Sequence, residues 1–177
     1  MNKQYHSGDR SVTITVDDQC NITDIRLRGN SSINRVSTQL ASLHKKAFTQ
    51  GGVTAPTVQR DEGMLATLEN PPIPAFAELF QSLHTSLEAM YAAGEKLQQR
   101  DLVGKNDYVE VRLFSAGRIQ EVDTTDKGEK LTADKLSEEI LDAYRKAFSS
   151  AEVSSEEITQ NLVEQIEEAC PIRVTQA

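Results

Sequence analysis

Side chains that could do acid–base, nucleophilic or metal chemistry are few in this 177-residue chain, and they are scattered. The three histidines, His6, His44 and His84, lie far apart in sequence, and none falls in a metal-ligand spacing. The chain also lacks the nucleophile-elbow, phosphate-loop and dinucleotide-binding glycine motifs. No catalytic residue, metal site or cofactor is therefore predicted, and the sequence favours a non-enzymatic protein.

One turn, residues 17–21, collects two aspartates and a cysteine without predicting a site. Asp17 and Asp18, taken with Asp24, do not follow the spacing of an EF-hand loop, and aspartate is common in hairpin turns. No base or helix start lies near Cys20 in sequence to activate its thiol, so we expect a passive thiol.

With no catalytic or metal site predicted, the expected functional feature is a binding surface, and the charge distribution indicates where it lies. Residues 1–60 carry eight Lys/Arg against four Asp/Glu, whereas residues 61–177 carry 11 against 23. A basic strand end followed by a basic helix predicts a patch that contacts phosphates. The alternative, ordinary solubilising side chains on outward faces, stays open. The candidate DNA-binding residues are Arg10, Arg26, Arg28, Arg35, Lys45 and Lys46.

The placement of these basic residues discriminates between two functions. If they lie together on one face, DNA binding gains support. If they alternate with Asp9, Asp17 and Asp24, a protein-binding adaptor gains support. The stretch 151–170, with six Glu and no Lys or Arg, repels phosphate backbones and is excluded as a nucleic-acid surface.

The elements that position this surface form an internal repeat. Residues 11–28 alternate as a β-hairpin, and a helix follows that Ser32 caps and two glycines end. The same order returns in residues 108–124 and in the helix after Thr132. The offset is 97 residues for the hairpins and 100 for the helices. We predict an α+β fold of two strand-hairpin-plus-helix repeats, with antiparallel sheets and long packing helices.

Composition divides the chain into four segments. Residues 1–50 hold the first repeat, and residues 51–74, with four of the five prolines, predict a linker. Residues 75–151 hold the second repeat, led by a long helix over 75–100. Residues 152–177 predict an acidic C-terminal helix and tail, in which the helix starts at the capping-box pair Ser154 and Glu157.

The helix over 75–100 carries an apolar side chain at every seventh position, which predicts packing along another helix, within the chain or across a dimer. We therefore expect self-association or a protein partner at this helix. The recurring residues are Phe76, Leu83, Met90 and Leu97.

A long helix, a V-x-V-x-V hairpin with a short polar turn and a Leu-rich helix ending near Ala-Phe together resemble the YbaB/EbfC family of bacterial nucleoid-associated proteins. The second half carries the resemblance best, in VEVRLFSAGRIQEV (109–122) and LSEEILDAYRKAFSSA (136–151). The first half repeats it in VTITVDDQCNITDIRL (12–27), without a leading helix. The glycine of the family's turn is kept at Gly117 but is missing from residues 17–21, and the duplication and the Glu-rich tail also depart from the family.

The resemblance implies sheet-mediated dimers with projecting helices, and DNA binding. The two copies would here pair within one chain as a pseudo-dimer. No site residue is transferred, because no motif marks the family's DNA contacts. The expected function is weak, largely electrostatic DNA binding by a nucleoid-associated protein of the bacterial cytoplasm.

The alternative is a protein–protein adaptor on the same scaffold that has lost DNA binding, as in YbaB-like proteins similar to components of actinobacterial secretion systems. The net charge of -8 favours it. No apolar run approaches 18 residues and no signal-peptide stretch is visible, so we expect a cytoplasmic protein without a membrane partner.

Overall fold

The computed structural model describes residues 2–29, 31–53, 59–70 and 77–169. It divides into two compact units. We call Met1–Ala55 with Arg100–Val153 the sheet unit, and Pro56–Gln99 with Ser154–Ala177 the helical unit. Both predicted hairpins fall in the sheet unit, whereas the long helix predicted to lead the second repeat falls in the helical unit.

The described residues contain two antiparallel sheets of three strands each, and four α-helices, so the α+β prediction is confirmed. Each sheet has its strands in chain order. The strands are β1 (Lys3–His6), β2 (Val12–Val16), β3 (Ile22–Leu27), β4 (Leu102–Lys105), β5 (Val109–Leu113) and β6 (Ile119–Thr124). The helices are α1 (Ile33–Gly51), α2 (Glu62–Glu69), α3 (Ala77–Gln99) and α4 (Ala133–Ala169).

The two sheets share the same backbone irregularities at the predicted offset of 97. The strand register shifts next to Val16 in the first sheet and next to Leu113 in the second. Each hairpin turn then places one residue in the left-handed region, Cys20 with φ 65° and Gly117 with φ 84°. The first turn therefore has the backbone form of the second without its glycine.

The sequence pattern does not predict the edge strands β1 and β4. Each has only four residues, which is too short for an alternation to stand out. Tyr5 is the single buried residue of β1, and Leu102 and Gly104 are those of β4.

The helices α1 and α4 each cover the outer strand of the other repeat's sheet. The Tyr144 hydroxyl on α4 accepts a hydrogen bond from the Ile22 backbone N–H of β3 at 3.3 Å. Reciprocally, His44 Nδ1 on α1 accepts from the Ile119 N–H of β6 at 3.1 Å. The equivalent residues of the two repeats thus make equivalent contacts.

Two serine side chains make further contacts of this kind, each about two turns nearer the start of its helix. Ser137 Oγ accepts from the Leu27 N–H at 3.0 Å, and Ser37 Oγ accepts from the Val122 N–H at 2.8 Å. An unpaired strand edge is a template for association, and a buried N–H without a partner is costly. The two repeats close each other's edges in this way, and their buried side chains form one core cluster.

The helical unit corrects the linker prediction for residues 51–74, because α2 lies within that segment. Asp61 caps α2 by accepting from the Met64 N–H at 2.9 Å, and Leu65 is buried. α2 packs against α3, and the Tyr91 hydroxyl of α3 accepts from the Asp61 N–H at 2.9 Å. The aspartate cap and the burial of Leu65 against α3 together stabilise this short helix in a proline-rich segment.

The predicted start of a separate C-terminal helix at Ser154 is wrong, since α4 runs unbroken from Ala133 to Ala169. The stretch AEVSSEEI (151–158) contains no glycine or proline, so nothing ends the helix there. Ser154 and Glu157 match a capping box by sequence alone. α3 agrees with the predicted helix over 75–100, although Phe76 and the tail beyond Ala169 lie outside the described residues. Within the described ranges, no helix combines the length and the apolar composition that crossing a bilayer requires.

Candidate binding surfaces

Two of the basic residues predicted to contact DNA are held by aspartates. Arg35 on α1 forms an ion pair with Asp9 at 2.5 Å, and Arg26 on β3 forms one with Asp24 at 2.9 Å. These carboxylates place negative charge directly beside the guanidinium groups. A phosphate would therefore have to compete with an existing partner at both positions.

Asp9 is fixed in this role by the turn between β1 and β2. Its carboxylate accepts hydrogen bonds from the hydroxyls of Ser7 and Ser11, both at 2.7 Å, and from the Gln39 side chain. The Ser7 and Ser11 hydrogen bonds hold the pKa of the Asp9 carboxyl well below its usual range. Asp9 therefore stays charged and keeps Arg35 engaged.

Lys45 and Lys46 do not join Arg35 in one patch, because they follow it by ten and eleven residues on α1, about 15 Å farther along the helix axis. Arg10 and Arg28 lie nearer to it, since Arg10 adjoins Asp9 and the Arg28 backbone N–H donates to the Ser11 carbonyl at 2.8 Å. In the described part of the chain, no ion pair involves Arg10, Arg28, Lys45 or Lys46. Asp17 serves its own turn instead, accepting from the Gln19 and Asn21 N–H groups. The pairing of arginines with Asp9 and Asp24 is the arrangement expected of the adaptor.

Net charge separates by unit rather than by chain half. The sequence ranges of the sheet unit contain 16 Lys/Arg and 16 Asp/Glu, whereas those of the helical unit contain 3 and 11. The positive balance of residues 1–60 is thus offset within the sheet unit. The whole net charge of -8 belongs to the helical unit.

The helical unit also exposes an apolar face on α3. Leu79, Leu83 and Met90 are 54%, 44% and 52% exposed, and their spacing of four and seven residues places them on one side of the helix. We call these three residues the α3 stripe. Leu97, which the sequence places on the same line, is partly buried. Among the described residues, five of the eight exposed large apolar side chains lie in this unit: Met64, Leu79, Leu83, Met90 and Val163.

The α3 stripe is free of charge although its unit is acidic. At 100° per residue, Glu88 and Glu95 lie on nearly the opposite side of α3 from Met90. Glu88 is also bonded to Arg60, which in turn contacts Glu62 at 2.8 Å. Protein interfaces commonly have an apolar core surrounded by a polar and charged rim.

The C-terminal part of α4 adds carboxylates to the same unit. Between Ser154 and Ala169 it carries five Glu and no Lys or Arg. A groove of about 570 Å³ runs between this segment and α3, where Ala89 and Ala92 face Ala169. The helical unit is thus acidic on several faces and apolar on one.

No protein-family model, curated protein or solved structure matches this chain. The resemblance to the YbaB/EbfC family stays a prediction from the residue pattern.

The buried polar residues of the sheet unit serve its fold. His44 is fully buried, its Nε2 donates to the Cys20 carbonyl at 2.8 Å, and its Nδ1 accepts from Ile119. Cys20 is buried as well, and burial raises the pKa of its thiol. Within the described ranges, no three His, Cys, Asp or Glu side chains are grouped to hold a metal ion.

Sequence reasoning placed Leu83 and Met90 on an apolar face of this helix but missed the division of charge between the two units. The two segments of the helical unit, residues 56–99 and 154–177, are separated by more than fifty residues in the chain. Both segments contain few Lys and Arg, which is visible in the sequence. It indicates a common acidic unit only once the fold shows that the two segments belong together.

Proposed function

We propose that this protein is a non-enzymatic protein–protein adaptor whose helical unit binds a positively charged partner through the α3 stripe. One observation carries the proposal: the whole net charge of -8 lies in the unit that also exposes the stripe. The sheet unit is the scaffold in this account.

Electrostatics and apolar contact have separate tasks in such an interface. A unit with 11 acidic and 3 basic residues attracts a cationic partner over several ångströms and speeds its association. The three half-exposed side chains of the stripe then supply short-range contact. Full burial of one such side chain is worth about 1.5–3 kcal/mol relative to exposure.

DNA binding, the function implied by the family resemblance, remains the competing proposal. Arg10, Arg28, Lys45 and Lys46 support it, since no ion pair among the described residues occupies them. The adaptor is better supported, because a helical unit of this charge repels a polyanion and a sheet unit with equal numbers of both charges adds no net attraction.

The test is a pair of titrations of the intact protein, followed by fluorescence anisotropy at 50 and 200 mM salt. One probe is an 18-residue amphipathic helical peptide of Leu and Lys, and the other is a 30-base-pair DNA duplex. We expect the peptide to bind and the duplex not to bind at either salt concentration. The double variant Leu83→Ser, Met90→Ser should weaken peptide binding at least tenfold, since 1.4 kcal/mol corresponds to a factor of ten.

The matched control is Val103→Ser with Val153→Ser, which removes two exposed valines from the sheet unit. It should change peptide affinity less than twofold. Duplex binding that falls steeply with salt, together with peptide binding that ignores the stripe substitutions, would contradict the proposal and favour DNA.

A further inference from the structure

We propose that the sheet unit carries a second binding site, a groove that accepts an organic carboxylate with an apolar tail. The groove has a volume of about 530 Å³ and lies between the last turns of α1 and the turn joining β5 to β6. This volume falls in the range of small-ligand pockets, roughly 300–1,000 Å³. The site is separate from the α3 stripe and does not depend on the adaptor function.

The apolar part of the groove comes from two phenylalanines and a valine. Phe48 is 9% exposed and Val53 is half-buried. Phe114, at the start of the turn between β5 and β6, is 41% exposed. The exposed part of this ring adjoins the apolar side chains of the groove and leaves apolar surface in contact with water. A bound apolar group would cover it.

The charged part of the groove is cationic. The Arg118 guanidinium lies over the Phe114 ring, 4.4 Å from its centroid, and Lys45 reaches the groove from α1. Stacking on a ring holds the planar guanidinium in place, so that its donors are oriented before a ligand arrives. Among the described residues, no ion pair involves Arg118 or Lys45, and no Asp or Glu lines the groove.

The first repeat provides an internal comparison. At the predicted offset of 97, Asp17 stands where Phe114 stands, and Asn21 where Arg118 stands. Asp17 holds its own turn by accepting backbone N–H groups. Since both turns have the same backbone form, the shape of the second turn does not require the stacked Phe114–Arg118 pair, and the pair is free to contact a ligand.

The chemistry of the lining selects the ligand class. Two cations without carboxylate neighbours favour an anion, and a planar guanidinium pairs best with a carboxylate through two parallel hydrogen bonds. The adjacent rings favour an aromatic or branched tail. A small free acid and the C-terminus of a peptide ending in an apolar residue share this chemistry.

The experiment is a titration of the ¹⁵N-labelled full chain followed by amide chemical shifts. The probes are N-acetylphenylalanine, a tetrapeptide Gly-Ser-Ala-Phe, and the C-terminal amide of each. We expect the free carboxylates to shift the amides of residues 45–53 and 114–118, and the amidated probes to bind at least tenfold more weakly. If N-acetylphenylalanine binds more tightly, the natural ligand is a small acid. If the tetrapeptide binds more tightly, it is the C-terminus of a peptide.

Two variants separate the site from general charge effects. Phe114→Asp with Arg118→Asn, which introduces the residues of the first repeat's turn, should weaken binding at least tenfold. Arg112→Gln, at an exposed arginine of β5 paired with Glu110, should leave it within twofold. The proposal is overturned if neither free carboxylate shifts these amides at 10 mM, or if the amidated probes bind equally well. The comparison of acid with amide on the unaltered chain stands even if a variant fails to fold.

Discussion

Replacing Gly104 by alanine should destabilise the sheet unit by about 3 kcal/mol or more. A Cβ atom at this position would lie 1.9 Å from the Ala143 carbonyl oxygen and 2.3 Å from the Ala147 nitrogen. Both atoms belong to the backbone of α4, so no side-chain rotation relieves the overlap. β4 and α4 would have to separate, and the core between them would open.

The measurement is urea unfolding of the intact protein, with Gly8→Ala as the matched control. Gly8 lies in the turn after β1, and no atom lies within 4 Å of the position that its Cβ would take. We expect that control to change the free energy of unfolding by less than about 0.5 kcal/mol. Equal unfolding midpoints for the two variants would mean that α4 does not approach β4 as described.

The buried His44 should make the protein less stable as the pH falls from about 7 towards 4. Burial lowers its pKa from the ordinary 6.5 to about 4. Well above pH 6.5 the residue is neutral in both the folded and the unfolded state and has no effect on stability. Between pH 6.5 and 4 the unfolded chain binds a proton that the folded chain does not, so the free energy of unfolding decreases by up to about 3 kcal/mol.

The variant that tests this is His44→Gln, which cannot titrate. It should be less stable than the unaltered protein at pH 7, because the amide lacks the buried ring and its edge contacts with Phe48 and Tyr144. Its loss of stability between pH 7 and 4.5 should be smaller by about 2–3 kcal/mol. His6→Gln, at an exposed histidine of β1, should lose stability between pH 7 and 4.5 as steeply as the unaltered protein. Parallel plots of unfolding free energy against pH for all three proteins would contradict the role of His44.

The hairpins and α1 could be predicted because each carries a long, regular pattern. Val12, Ile14 and Val16 alternate over a whole strand, and buried residues recur at helical spacing in α1 from Val36 to Phe48. β4 could not be predicted, since it has only four residues and one of its two buried residues is a glycine, which gives no apolar signal. Gly104 is buried only because α4 lies against it.

The exchange of contacts between the repeats was also outside the reach of sequence. Nothing about His44 or Tyr144 shows that each reaches a strand of the other repeat. The matching offsets predicted that the two residues are equivalent. Which strand edge they cover depends on how the sheets pack.

The candidate surface was predictable in part. The seven-residue recurrence of Leu83 and Met90 predicts an apolar face on α3, but recurrence alone does not tell whether that face is buried within the chain. The structure leaves both side chains about half exposed. The concentration of net charge in the same unit required the fold.

The most direct test of the adaptor is site-specific photo-crosslinking in living cells of the native host. The photoreactive residue benzoylphenylalanine would replace Met90 in the α3 stripe, or Val103 in β4 as the matched exposed position. We predict one discrete protein adduct from position 90, which disappears when Leu83→Ser is added, and no such adduct from position 103. Identical adducts from both positions, or none from position 90 while the protein co-purifies with DNA, would contradict the account.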